Sequence, residues 1–178
     1  MRQALNLHPD SPSAAVASVA VEIGRPQPYA LLLRYIVTGR IGELRLPPVA
    51  APARTDELWR HTCFEAFLRP LAAAAYYEFN FSPSSQWAAY RFSGYRDGMA
   101  PLNEMTAPRI EVHASGEGLE MTVALALDGL PGDAPWRLGL SAVIEETSGA
   151  KSYWALAHPP GKPDFHHADC FALELPPA

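Results

Sequence analysis

Between Leu58 and Phe92 the chain runs LWRHTCFEAFLRPLAAAAYYEFNFSPSSQWAAYRF, three apolar, aromatic-rich segments separated by short breaks. Side chains along a strand alternate between its faces. That period predicts Trp59, His61, Cys63, Glu65 and Phe67 on one face of a strand, with Arg60, Thr62, Phe64, Ala66 and Leu68 on the other. It likewise sets Tyr76, Glu78, Asn80 and Ser82 against Tyr77, Phe79 and Phe81, and the latter trio reads as a core face. The first set aligns carboxylates and an amide inside strands that otherwise look buried. An ionised buried carboxylate is costly unless something pairs with it. Either an arginine satisfies these groups or a ligand does.

The rest of the chain reads as sheet built around this centre. Its 18 Pro and 12 Gly are scattered, which cuts the sequence into short elements and favours an all-β sandwich or barrel with little helix. Strands are expected at 16–23, 29–38, 40–46, 109–114, 119–127, 136–145, 152–157 and 171–175, and the total comes to about ten or eleven. Residues 1–15 carry HPDSPS turn chemistry and are expected to form an arm along a sheet edge. A length of 178 residues fits one domain over 1–178. The longest aperiodic stretch, Ser93 to Pro108, has the length of a functional or mobile loop. Net charge is -5 with no Lys/Arg block, so neither nucleic acid nor an anionic membrane surface is an expected partner. No apolar run resembles a signal peptide or a membrane span, which gives a cytoplasmic expectation with Cys63 and Cys170 as reduced core thiols.

The segments LWRHTCFEAFL, YYEFNFSPSSQWAAYRF and KPDFHHADCFALEL, with Leu5-x-x-His8-Pro9 and Leu44-x-Leu46-Pro47, resemble the DOMON-like domains similar to family 9 carbohydrate-binding modules. The resemblance spans nearly the whole chain. It implies an antiparallel β-sandwich of jelly-roll type and a non-catalytic, ligand-binding role. In such modules two aromatic rings sandwich a sugar, whose C–H faces stack on the rings while charged and amide groups bind its hydroxyls. The resemblance implies Trp59 and Phe165 as the clamp and Glu65 as a hydroxyl-binding group. Glu78 stands where those modules carry a sugar-binding arginine, and Ser141-Ala142-Val143-Ile144 replaces an amide-bearing strand.

The expected ligand site therefore comprises Trp59, His61, Glu65, Glu78, Asn80, Arg91, Phe165 and His166, with Arg96 as an alternative to Arg91. Its expected ligand is a small polar molecule, a sugar or a cell-wall glycan fragment, and no cofactor is required. Two other classes stay open. The run His166-His167-x-Asp169-Cys170, with His61 and Cys63, carries imidazole and thiolate groups suited to Zn²⁺ or another transition metal. Non-covalent haem is possible through His61, His158, His166, His167, Met99 or Met105, whereas the absence of Cys-x-x-Cys-His excludes covalent attachment. The last class is a structural or protein-interaction module whose Glu, Asn and Arg groups satisfy one another. Paired carboxylates also suit glycoside hydrolysis, but the resembling family hydrolyses no bonds. Gly-x-Ser-x-Gly, phosphate-loop and dinucleotide motifs are absent.

Overall fold

The computed structural model describes residues 1–27, 29–71, 73–127, 129–130 and 135–176. Among them are twelve strands: β1 (Arg2–Leu7), β2 (Val16–Gln27), β3 (Ala30–Gly39), β4 (Cys63–Pro70), β5 (Tyr76–Phe81), β6 (Trp87–Phe92), β7 (Ala100–Pro101), β8 (Arg109–Ala114), β9 (Gly118–Ala126), β10 (Trp136–Glu145), β11 (Lys151–Ala155) and β12 (Leu173–Leu175). Helix among the described residues is limited to single 3-10 turns at Ile41–Glu43, Leu58–Arg60 and Ala168–Cys170. The strands pair antiparallel in the order β7-β6-β5-β4-β10-β11-β1-β2-β3-β9-β8, with β12 added to β10. The sheet curls into a β-sandwich, so that its two halves face each other.

The facing surfaces fuse into one apolar cluster. Val21, Leu33, Tyr35, Leu119 and Met121 from β2, β3 and β9 meet Phe64, Ala66, Phe79, Phe81, Leu138, Leu140 and Ile144 from β4, β5 and β10. Phe79 and Phe81 thus occupy the core face that alternation assigns them. The buried Tyr35 hydroxyl crosses the interface and donates to the Glu65 carbonyl at 2.8 Å, so the one polar group Tyr35 brings into the core is satisfied. On the opposite, outward face of β4, β5, β6, β10 and β11 lies a second cluster of Phe67, Tyr76, Ala88, Tyr90, Phe92, Val143 and Ala155. The segment after β11 folds back over this cluster and adds Phe165 and Phe171. Gly139 permits that approach, because a Cβ there would lie 3.1 Å from the Cys170 carbonyl oxygen.

Three local expectations are corrected. Within the 1–15 arm, β1 pairs with β2 through Arg2–Leu5 and with β11 through Asn6 and Leu7, so it joins the two halves of the sheet. Its polar side chains hid this, because strand pairing needs only backbone groups and Leu5 supplies the core contact. The alternation of Arg40 to Leu46 belongs to a 3-10 turn that buries Ile41 and Leu44. The strand expected from Trp59 begins at Cys63; Glu57 adopts the left-handed region (φ 61°) and launches the turn Leu58–Arg60.

Candidate functional site

Strand alternation places the site residues, and register sets them in rows. Ala88, Asn80, Glu65, Ser141 and Ala155 stand side by side across β6, β5, β4, β10 and β11. The neighbouring row holds Tyr90, Glu78, Phe67 and Gly139. Glu65 and Glu78 are therefore diagonal neighbours on one face, with Cβ atoms within about 7 Å of each other. Above them opens a cleft of about 1060 Å³. Its floor and walls include Glu65, Glu78, Tyr90, Phe92, Val143 and Tyr153. The Leu58–Arg60 turn brings Trp59 and His61 to its rim, the loop after β6 brings Arg96 and Met99, and the segment after β11 brings Phe165 and His166.

The two carboxyls have unequal surroundings. Glu78 Oε1 accepts a 2.7 Å hydrogen bond from Asn80 Nδ2, while Glu65 Oε2 accepts one of 3.2 Å from Ser141 Oγ. Burial raises the pKa of both above the ordinary carboxylate range, and for Glu65 the neighbouring Glu78 charge adds to that, bringing it to about 8. The stronger donor favours Glu78 as the ionised partner, which leaves the proton on Glu65 near neutrality. His166 is held neutral, with burial and the nearby Arg96 charge lowering its pKa to about 4. Arg96 N–H donates to the Tyr76 hydroxyl at 3.2 Å, and that hydroxyl lies 2.8 Å from His166 Nδ1. The network is consistent if Tyr76 donates to Nδ1, which puts the imidazole proton on Nε2, 3.8 Å from Glu78 Oε2. Burial also raises the pKa of Tyr76, so it stays a donor.

The cationic side chains around the cleft are engaged elsewhere. Arg96 pairs with Asp164 at 2.7 Å, Arg60 with Glu57 at 2.7 Å, and Lys151 donates to the Arg60 carbonyl at 2.5 Å. His61 Nδ1 meets Glu145 Oε2 at 2.7 Å, and Tyr90 donates to Asp56 at 2.6 Å. Among the described residues three non-glycine residues have positive φ: Glu57, Ser85 and Arg96. Two of them border the cleft, a concentration of backbone strain typical of binding sites.

Of the expected site residues, Trp59, His61, Glu65, Glu78, Phe165 and His166 border one cleft, and Asn80 lies buried beneath it as the donor to Glu78. Arg91 does not join them. It alternates with Tyr90 and Phe92 and so leaves β6 on the Trp87 and Ala89 side, exposed at the sandwich edge, and Arg96 occupies the cleft in its place. The metal candidates His61, His166, His167 and Cys170 do not converge. His167 Nδ1 accepts from Asp169 N–H, Cys170 Sγ donates to the Asp164 carbonyl, and burial pushes that thiol up to about 12. Among the described residues no three His, Cys, Asp or Glu side chains are placed to share an ion. Cys63 is a buried thiol facing Asn80 Oδ1 at 3.7 Å, and both cysteines are free.

Three solved structures share the fold. A candidate carbohydrate-binding protein from Bacteroides uniformis superposes with a TM-score of 0.68 over 96% of this chain and 83% of its own, at 14% identity. A family 9 carbohydrate-binding module from Caldicellulosiruptor kristjanssonii in complex with cellotriose gives a TM-score of 0.54 over 88% of this chain and 74% of its own, at 12% identity. A family 9 module from the same organism in complex with glucose gives 0.50 over 85% and 72%, at 13% identity. No family model matches the chain, nor does any curated protein. The chain is thus all-β with the carbohydrate-binding-module type of sandwich.

Sequence reasoning missed Ser141, Tyr76 and Tyr90 as polar contributors and Val143 and Tyr153 as walls. Pairing β10 with β4 brings Ser141 beside Glu65 from 76 positions away, and no local pattern announces that. Tyr76 and Tyr90 were open to discovery, because they share the alternating face of Glu78 and its cross-strand partner.

Proposed function

We propose that the protein is a non-catalytic carbohydrate-binding module that holds a sugar, or a fragment of a cell-wall glycan, in the cleft over β4, β5, β6 and β10. What carries this reading is the pair of buried, incompletely hydrogen-bonded carboxyls, Glu65 and Glu78, at the floor of a cleft bordered by Trp59 and Phe165. Sugar hydroxyls donate to carboxylates, and the C–H faces of the ring stack on aromatic side chains. Trp59 is 46% exposed, so its indole contributes little to the core; the Arg60 guanidinium lies over the ring, 5.2 Å from its centre, and the proposed sugar stacks on the opposite face. Solved structures of the same fold in complex with cellotriose and glucose support the ligand class. The finer placement, as a DOMON-like relative with jelly-roll connectivity, rests on the sequence motifs. Hydrolysis fits less well, because Glu65 and Glu78 rise side by side from one sheet face, whereas glycosidase carboxyls flank the scissile bond.

A thermal-shift panel of glucose, cellotriose, muropeptide fragments, haemin and divalent metals tests the reading. A ligand at 100 times its Kd stabilises the native state by about 2.7 kcal/mol. A shift with a sugar, lost in Trp59→Ala while the free variant melts like the parent, is the expected result. Silence toward every sugar, or a shift with haemin or metal alone, overturns it.

A further inference from the structure

Resting on the carbohydrate reading, we propose that the group seated at the cleft floor is an ammonium, and that the ligand class is an amino sugar with a free amine. Glu65 is 3% exposed and borders the cleft, yet the hydrogen bond to its carboxyl, from Ser141, reaches Oε2. Among the described residues its Oε1 has no partner. Glu78 is also buried; its Oε1 is taken by Asn80, and the nearest group to Oε2 that could carry positive charge is the neutral imidazole of His166, 3.8 Å away. Each carboxyl thus keeps an oxygen for something in the cleft.

Among the described residues no cation is bonded to the free oxygen of either carboxyl, and the Arg96 charge, which reaches both, offsets only part of the effect of their burial. Arg96, Arg60, Lys151 and His61 all border the cleft, and each is bonded to another group, namely Asp164, Glu57, the Arg60 carbonyl and Glu145. A buried carboxylate without a counter-charge is unfavourable, and a partner that both donates hydrogen bonds and carries positive charge relieves it most. A neutral hydroxyl supplies the hydrogen bond alone. An ammonium supplies the charge and three donors, enough to reach Glu65 and Glu78 together. Acetylation of the amine removes the charge, leaves one N–H and adds a group that the floor must accommodate. Seating an ammonium favours the ionised form of both carboxyls, so the proton on Glu65 leaves to solvent as the complex forms. No covalent bond changes.

Calorimetric titration of the intact protein at pH 7 with glucosamine, glucose and N-acetylglucosamine, in two buffers of different protonation enthalpy, tests this. Glucosamine is expected to bind about ten-fold or more tightly than the other two, with net proton release that they do not cause. In Glu65→Gln, which keeps the shape and removes the charge, glucosamine should fall to the level of glucose. If that variant does not fold, Glu78→Gln makes the same comparison. Glucose binding as tightly as glucosamine to the parent protein overturns the inference and leaves the carbohydrate reading intact. A preference for glucosamine that survives both variants overturns the assignment to this pair. Failure of all three sugars to bind overturns the inference, and the carbohydrate reading falls with it only if cellotriose and the muropeptide fragments also leave the melting temperature unchanged.

Discussion

Replacing Glu65 by glutamine should stabilise the free protein, by an amount that grows with pH. Glu65 holds its proton more tightly in the folded chain, where its pKa is about 8, than at its ordinary value of 4.5. The sign follows from linkage: folding gains from a protonated Glu65 below pH 4.5, and that gain is lost as pH rises through about 8. Each pH unit within this window corresponds to about 1.4 kcal/mol, so the free protein is less stable by about 3 kcal/mol at pH 7 than a chain with a neutral group there. His166 works in the opposite sense. Its folded pKa of about 4 lies below the ordinary 6.5, so stability is lost as pH falls from 6.5 toward 4. Between pH 4.5 and 6.5 the His166 slope opposes that of Glu65, to which Glu78, also raised by burial, adds in the same sense, so the parent protein's stability should fall more gently there than above pH 6.5. Urea unfolding of parent and Glu65→Gln at half-unit steps from pH 4.5 to 8 measures the difference directly. It should start near zero and reach about 3 kcal/mol in favour of the variant at pH 7. A difference that does not vary with pH, or a variant less stable than the parent at pH 8, would refute the assignment of the proton to Glu65.

Three further perturbations separate the cleft from the core. Gly139→Ala should cost about 1–3 kcal/mol by denaturant unfolding, because the new methyl meets the Cys170 carbonyl at 3.1 Å and the nearby covering segment must shift. The same variant should weaken sugar binding, since Phe165 and His166 belong to that segment. Tyr76→Phe leaves His166 Nδ1 and Arg96 N–H without their partner and should cost about 1–3 kcal/mol, read from urea midpoints near pH 7. Tyr35→Phe removes the inter-sheet bond to the Glu65 carbonyl and should cost about 1 kcal/mol in unfolding while sugar affinity in calorimetry stays unchanged.

Much of this architecture was legible from the sequence because strand alternation is local. Tyr77, Phe79 and Phe81 against Tyr76, Glu78 and Asn80 already separate the core from the cleft, and the unusual carboxylates Glu65 and Glu78 mark the face that carries the site. Alternation misled where the backbone left the strand. Trp59 and His61 keep the expected parity with Cys63, but they reach the cleft from a 3-10 turn, not from β4. Arg91 had the wrong parity from the start: Tyr90 pairs with Glu78, so its neighbour faces away. Ser141 and the engagement of Arg96 with Asp164 depend on which strands and loops become neighbours over 68 to 76 positions, and periodicity does not encode that.

In β4, odd-numbered Cys63, Glu65 and Phe67 belong to the cleft face, and even-numbered Phe64, Ala66 and Leu68 belong to the interior. Two messages are thus interleaved in one strand, letter by letter, and each can be rewritten without touching the other. Exchanging Glu65 or Glu78 for other polar side chains changes what the cleft accepts while the packing that holds the sandwich keeps its letters. A one-residue slip of β4 against its neighbours would do the reverse, turning Glu65 inward and Phe64 outward at once. A scaffold of this kind should diversify its ligands readily by substitution and tolerate almost no change of length in the strands beneath them.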